Sequence, residues 1–253
     1  MPARPPPGPP LGPPRRRAIL GAGLTLAALP FARLRAEPTP PPVVVELFTS
    51  QGCSSCPPAD ALLRRLAGRP DIVALGLHVD YWNRLGWVDP FASAWATARQ
   101  RAYVAALGLR SPYTPQMVLD GRIDAVGSRP AAVTAALDEA RATAADAVPV
   151  SLAAAAGGGL TVTVGAGAGP ARILLAAYRP LAETDVAAGE NGGHRLANAN
   201  IVSRLADIGG WTGAPLTLAV PTAGPGGHAV LVQRVDAAGR PGRIVGAAKL
   251  DVA

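Results

Sequence analysis

Cys53 and Cys56 are the two cysteines of the chain, and they stand two residues apart in Gly52-Cys53-Ser54-Ser55-Cys56-Pro57-Pro58. A disulfide that closes so short a loop removes little unfolded-state entropy, about 2 kcal/mol on the chain-entropy model against about 3 for a fifteen-residue loop. As a staple the pair is poorly placed. As a redox couple it is well placed, because both sulfurs approach the positive end of a helix, where a thiolate is stabilised. A metal is the competing use. Two thiolates with His78 or Met117 suit copper(I). Structural zinc needs four ligands, and His78, His194 and His228 are scattered along the chain.

The elements that must position the pair read clearly. Val43–Thr49 is a near-continuous apolar run with β-branched residues, as in a strand covered on both faces. Pro57–Gly68 follows as a helix with Leu62, Leu63 and Leu66 on one stripe, Asp60 in its first turns and Arg64 and Arg65 near its end. Pro57 biases Cys56 away from helical geometry and starts the helix after the pair. Ile72–Val79 is a second buried strand, so the order is a βαβ unit with parallel strands. His78 and Asp80 end that strand, where open parallel sheets place their sites.

Residues 80–113 hold seven of the eleven aromatic side chains. They read as a helical insertion that caps the sheet or walls a substrate site, with a helix over Ala92–Leu107. Gln116–Leu119, the turn Asp120-Gly121 and Ile123–Val126 form a hairpin. Ser128 then caps a helix to about Ala145. A domain boundary is expected at Ala147–Pro149. Beyond it, short strands at Val150–Ala155, Leu160–Val164, Arg172–Arg179, Leu216–Val220, Ala229–Val235 and Arg243–Leu250 suggest a small antiparallel sandwich or barrel. Between them lie the polar stretch Gly189–Arg195, expected to fix the domain interface, and Asn198–Asp207, read as helical.

The net charge of +7 would ordinarily suggest nucleic acid, but it is concentrated at the start of the chain. Residues 1–36 carry six arginines and no acid, and without them 18 basic side chains face 17 acidic ones. Nucleic-acid binding is therefore excluded. Arg15-Arg16-Arg17-Ala18-Ile19-Leu20, an apolar run too short to span a membrane, and Ala36 match an export signal of twin-arginine type. Residues 37–42 are a proline-rich tether. Export places the protein in the periplasm or outside the cell, in an oxidising compartment, with no stable membrane span once the signal is removed. Hydrophobic residues at 49% are sufficient for a full core.

The order strand, CxxC, helix, strand, excursion, Thr114-Pro115, hairpin, helix resembles the thioredoxin fold over about 43–147. More narrowly, Glu46–Asp60, His78–Pro90 and Thr114–Met117, extended by Gly189-Glu190-Asn191, Asn200-Ile201-Val202 and Gly210-Trp211, look like a bacterial secreted family of unknown function with a thioredoxin-like domain. The resemblance implies an α/β fold: a thioredoxin-like domain followed by a small β-rich domain over 148–253. By position it makes Cys53 the nucleophile, more exposed than the resolving Cys56. It puts Glu46 in the place of a buried carboxylate that assists proton transfer; an arginine partner such as Arg64 or Arg65 is the alternative use of that side chain. It also implies a cis bond at Thr114–Pro115, with Pro115 packed near the sulfurs and Thr114 offering its backbone to an extended partner. The expected activity is thiol–disulfide exchange with a protein partner and no cofactor. The alternatives are a binding module whose disulfide is inert, and copper handling.

Overall fold

The apolar run Val43–Thr49 forms β1 and is buried along its whole length. The computed structural model describes residues 1–8, 12, 41–144, 146–221 and 225–250. The chain divides into two units, Met1–Pro38 and Thr39–Ala253, and everything below concerns the second. Most of the leader and of the proline-rich tether lies outside the described residues.

β1 leads into α1 (Pro57–Ala67) and then β2 (Ile72–His78), which pairs with β1 in parallel from Val43↔Ile72 to Thr49↔His78. A short 3-10 turn at Asn83–Leu85 precedes α2 (Ala94–Ala106), and the Ser93 side chain caps α2 by accepting the Ala96 N–H. β3 (Gln116–Leu119) runs antiparallel to β1 on its other side, and β4 (Ile123–Val126) closes the hairpin. Asp120 and Gly121 both have positive φ, 46° and 69°, the conformation a tight hairpin requires. α3 (Pro130–Ala142) starts from Arg129, not Ser128: Pro130 pre-sets the first helical φ, and no side chain caps this end.

The remaining strands are β5 (Val150–Ala154), β6 (Gly159–Val164), β7 (Ala171–Asp185), β8 (Arg195–Trp211), β9 (Leu216–Pro221), β10 (Gly227–Val235) and β11 (Pro241–Leu250). They are divided between two sheets. β7, β8, β10 and β11 extend the sheet of the first half, giving the eight-stranded order β11-β10-β7-β8-β2-β1-β3-β4, while β5, β6 and β9 make a separate three-stranded sheet. The junction is β8 against β2. Without β8, β2 would present a bare strand edge, which proteins pair or cover. Gly76 makes the approach possible, since a Cβ there would lie 3.0 Å from the Ala199 carbonyl oxygen. Asn200, at φ 47°, turns its amide to the Ala74 carbonyl at 2.9 Å. The stretch 198–207 is therefore strand, not helix.

Because β1 and β2 are buried on both faces, each face has its own core. Val44, Phe48, Leu75 and Leu77 pack with Ala96 and Tyr103 of α2. Val45, Leu47 and Ala74 pack with Leu63 of α1 and Val133 and Leu137 of α3. A third cluster, including Leu152, Val162, Ile173, Trp211 and Val230, fills the space between the C-terminal strands of the large sheet and the small sheet. Among the described residues no helix is long and apolar enough to cross a membrane.

Candidate functional site

Cys53 and Cys56 are joined as a disulfide in the turn between β1 and α1, with Cα atoms 5.4 Å apart. The Cys53 N–H donates to Ser50 O and the Cys56 N–H to Cys53 O, closing two successive turns. Cys56 is helical (φ −80°, ψ −37°), and its carbonyl accepts from the N–H groups of Ala59 and Asp60. These bonds override the bias that Pro57 puts on the angles of Cys56, while the helix itself starts at Pro57, as expected, with Cys56 as its N-cap. Both cysteines are 0% exposed. This corrects the expectation that Cys53 is the more accessible of the two, and its cause is what packs over the turn.

Part of that cover is Thr114, 61 residues away, whose Oγ1 donates to Cys53 Sγ at 3.2 Å. Trp82 Nε1 donates to Thr114 Oγ1 at 2.9 Å, and Ser55 Oγ lies 3.4 Å from Cys53 Sγ. The Thr114–Pro115 peptide is cis, as the sequence led us to expect. Trp82 also stands over Gly52, where a Cβ would come within 3.2 Å of the Trp82 Cβ. The aromatic insertion thus does two jobs: α2 caps the sheet, and Trp82 walls the cysteine turn.

A second cover comes from the turn between β7 and β8. Asn191 Nδ2 donates to the carbonyls of Gln51 (2.9 Å) and Cys53 (3.0 Å), and Glu190 Oε2 accepts the Ser54 N–H (2.9 Å). The polar stretch expected to fix an interface therefore grips the cysteine turn itself. Gln51 ties this layer inward. Its N–H donates to Asp89 Oδ2, its side-chain amide donates to Asn198 Oδ1, and its Oε1 accepts from Trp87 Nε1. His78 Nδ1 bonds the same Asp89 oxygen at 2.7 Å. Burial alone would raise the Asp89 carboxyl, but His78 and the N–H groups of Gln51 and Phe91 hold it below the usual range.

Asp60 completes this layer. It is buried on α1, one turn after Cys56, and accepts from Thr49 Oγ1 at 3.2 Å. Burial pushes its carboxyl up to about 7; nearby His78 and the polar neighbours Thr49 and Asn198 offset only part of that, and Asp89 adds to it.

Glu46 is placed differently from the sequence expectation. It lies two residues from both Val44 and Phe48 and so shares their face of the sheet, the α2 face, opposite α1. Arg99 grips both carboxylate oxygens (Nε to Oε1 2.6 Å, Nη2 to Oε2 2.9 Å), and Tyr103 donates to Oε2 at 2.5 Å. The arginine partner is thus Arg99 and not Arg64 or Arg65, which are exposed on α1. Met117, considered as a copper ligand, is buried in the apolar core, where its side chain, Leu47 and Ala59 converge on Gly127. Among the described residues there is no group of three or more His, Cys, Asp or Glu side chains that could hold a metal ion.

Of the residues expected at one centre, Cys53, Cys56 and Thr114 come together through the disulfide and the Thr114 bond to Cys53 Sγ. The sequence reading did not assign Gln51, Asp89, Asn191 or Asn198 to that centre, and it used Asp60 only as a helix-dipole residue. The i, i+4 spacing of Cys56 and Asp60 was the one available signal, since it puts both on the same helix face.

No curated protein matches the chain. Among solved structures it is similar to protein AGR_C_4864 from Agrobacterium tumefaciens, with 40% identity over 82% of this chain and 93% of that one, at a TM-score of 0.75. It is also similar in fold to HBP35 of Porphyromonas gingivalis, at 13% identity and a TM-score of 0.56, covering 84% of this chain and 75% of that one. Residues 44–233 match the model of a protein family of unknown function, DUF1223, and the chain belongs to that family.

Proposed function

We propose that the protein is an exported thiol–disulfide oxidoreductase with a thioredoxin-like centre, in which Cys53 and Cys56 are the redox couple. The observation that carries this reading is the Thr114 hydroxyl aimed at Cys53 Sγ at 3.2 Å, itself backed by the Trp82 N–H. A chain of donors ending on one sulfur stabilises a thiolate. A structural disulfide has no use for it. The βαβ unit with the pair at the mouth of α1 supports the thioredoxin-like assignment, and the arginine-rich leader supports export.

In the reaction, a thiolate of a partner protein attacks Cys53 Sγ, the Cys53–Cys56 bond breaks, and the electron pair leaves on Cys56. A second partner thiolate then attacks its own sulfur in the mixed disulfide and releases Cys53 as thiolate. Two electrons pass from the partner dithiol to the pair, and the reverse sequence reduces a partner disulfide. Asp60, on the same helix face as Cys56 and titrating near neutrality, takes the proton of Cys56 when that sulfur must attack and returns it when Cys56 leaves. Thr114 and Ser55 hold the Cys53 thiolate, and Pro115 fixes Thr114 beside it.

Complete burial of both sulfurs favours a second reading, an inert disulfide within a binding module. Trapping separates the two. After reduction, Cys56→Ser is expected to accumulate a mixed disulfide on Cys53 with a model peptide disulfide, and Cys53→Ser to accumulate none. Failure of both variants to trap the peptide would sink the proposal in favour of the inert pair.

A further inference from the structure

The turn Gly189–His194 is a built structure. Val186 N–H donates to His194 O (2.9 Å) and Gly193 N–H to Val186 O (2.8 Å). Gly189, at φ 76°, lets the turn lie against the aromatic insertion, since a Cβ there would stand 3.1 Å from the Trp87 Cβ. The two Asn191 bonds to Gln51 and Cys53 then fix the neighbouring Glu190 over the cysteine turn. Glu190 is solvent-exposed, yet the Ser54 N–H holds its carboxyl below the usual range, so it is an anion wherever a thiol titrates.

Ser54 lies between the cysteines, in the turn that precedes α1, and its N–H donates to Glu190. While the sulfurs are bonded to each other they carry no charge, and Glu190 has that donor to itself. After reduction a Cys53 thiolate and the Glu190 carboxylate, bonded to the N–H of the very next residue, are two anions set against one short turn. We infer that Glu190 is a positioning residue that disfavours the Cys53 thiolate and so biases the pair toward its disulfide form. This rests on the reading of Cys53–Cys56 as a thiol–disulfide couple. Of the other ionisable groups around the turn, Asp60, His78 and Asp89 are buried beneath it on α1, on β2 and in the insertion, and His194 stands exposed at the end of the Glu190 turn with its Nδ1 3.3 Å from the Asn191 carbonyl oxygen. Thr114 and Ser55 face the sulfur as neutral hydroxyls. Glu190 is thus the carboxylate that solvent and substitution reach first.

The test is a pH titration of the reduced full chain in a Cys56→Ser background, followed by thiolate ultraviolet absorbance, with and without Glu190→Gln. Glutamine keeps an oxygen for the Ser54 N–H and removes only the charge. The titration midpoint is expected to fall by about half a pH unit in Glu190→Gln at low salt. Glu190→Ala, which also frees the donor, should move it at least as far. The difference should shrink in about 1 M salt, where the Debye length is about 3 Å. A midpoint unchanged in Glu190→Gln overturns the inference, and so does a shift that salt leaves intact. The titration reads the thiol whether or not it exchanges with a peptide, so failure here and failure of the trapping experiment are separate results.

Discussion

Glu46 and Asp60 are both buried carboxylates, and they lie on opposite faces of the same sheet. Glu46 meets Arg99 through two bonds and Tyr103 through a third; Gln233 ties that cluster to β10 by accepting from Arg99 and donating to Tyr103. Against burial, which lowers it, Glu46 holds the Arg99 guanidinium charged, while burial pushes the Tyr103 hydroxyl well above its usual range. Among the described residues Asp60 has no cation bonded to it, only the Thr49 hydroxyl and polar neighbours, and its carboxyl rises to about 7. The difference teaches that burial alone does not make a general base. A carboxylate with a guanidinium on both oxygens is a strut joining α2, β1 and β10. One left with neutral donors keeps a labile proton.

The sharpest way to break this comparison is to remove the cation. Arg99→Ala leaves Glu46 buried and uncompensated, and urea denaturation should show a loss of about 3–5 kcal/mol. The corresponding change on the other face has the opposite sign at neutral pH. A carboxyl whose folded pKa is raised contributes stability that is complete below its unfolded pKa and is lost as pH rises through the folded value, here between about 4 and about 7. Asp60→Asn should therefore stabilise the fold by about 2–4 kcal/mol at about pH 8 and change little at about pH 4. A stability difference flat with pH would remove the titrating role given to Asp60. The same variant should slow peptide-disulfide exchange at neutral pH, which a purely structural Asp60 would not do.

Smaller effects sharpen the boundary between the two faces. Asn191→Ala strands the carbonyls of Gln51 and Cys53 and should cost about 1–3 kcal/mol. It should also quicken reduction of the pair by dithiothreitol, because one of its covers is loosened. Ser93→Ala removes the cap of α2 on the Glu46 side, for about 1 kcal/mol, and should leave the reduction rate unchanged. Equal reduction rates in the two variants would contradict the assignment of Asn191 to the cysteine turn.

Much of this was legible in the sequence, and what was not has physical reasons. Val43–Thr49, Gln116–Leu119 and Ile123–Val126 occur with the bounds read from apolar runs and turn residues. The face on which Glu46 lies was not readable, because a strand buried on both sides has no alternation to mark which residues meet which helix. Its partner Arg99 stands 53 residues away on a helix whose docking nothing local dictates. Arg64 and Arg65 were nearer in sequence but on the wrong side of the sheet. In β8, Arg204-Leu205-Ala206 has helix-favouring residues, and tertiary pairing overrides them: the segment pairs with Leu175–Ala177 of β7. The separate C-terminal domain was expected because its strands are short and turn-rich. The bare edge of β2 and the missing side chain at Gly76 let β8 join the sheet of the first half, with β7, β10 and β11 beyond it.

The central claim is that Cys53–Cys56 is a working couple and not a buried staple. Equilibrating the full chain in thiol–disulfide buffers and counting free thiols by mass spectrometry gives its reduction potential directly. The account predicts a value more oxidising than about −300 mV, and a value well below that would mark the pair as a structural disulfide and contradict it.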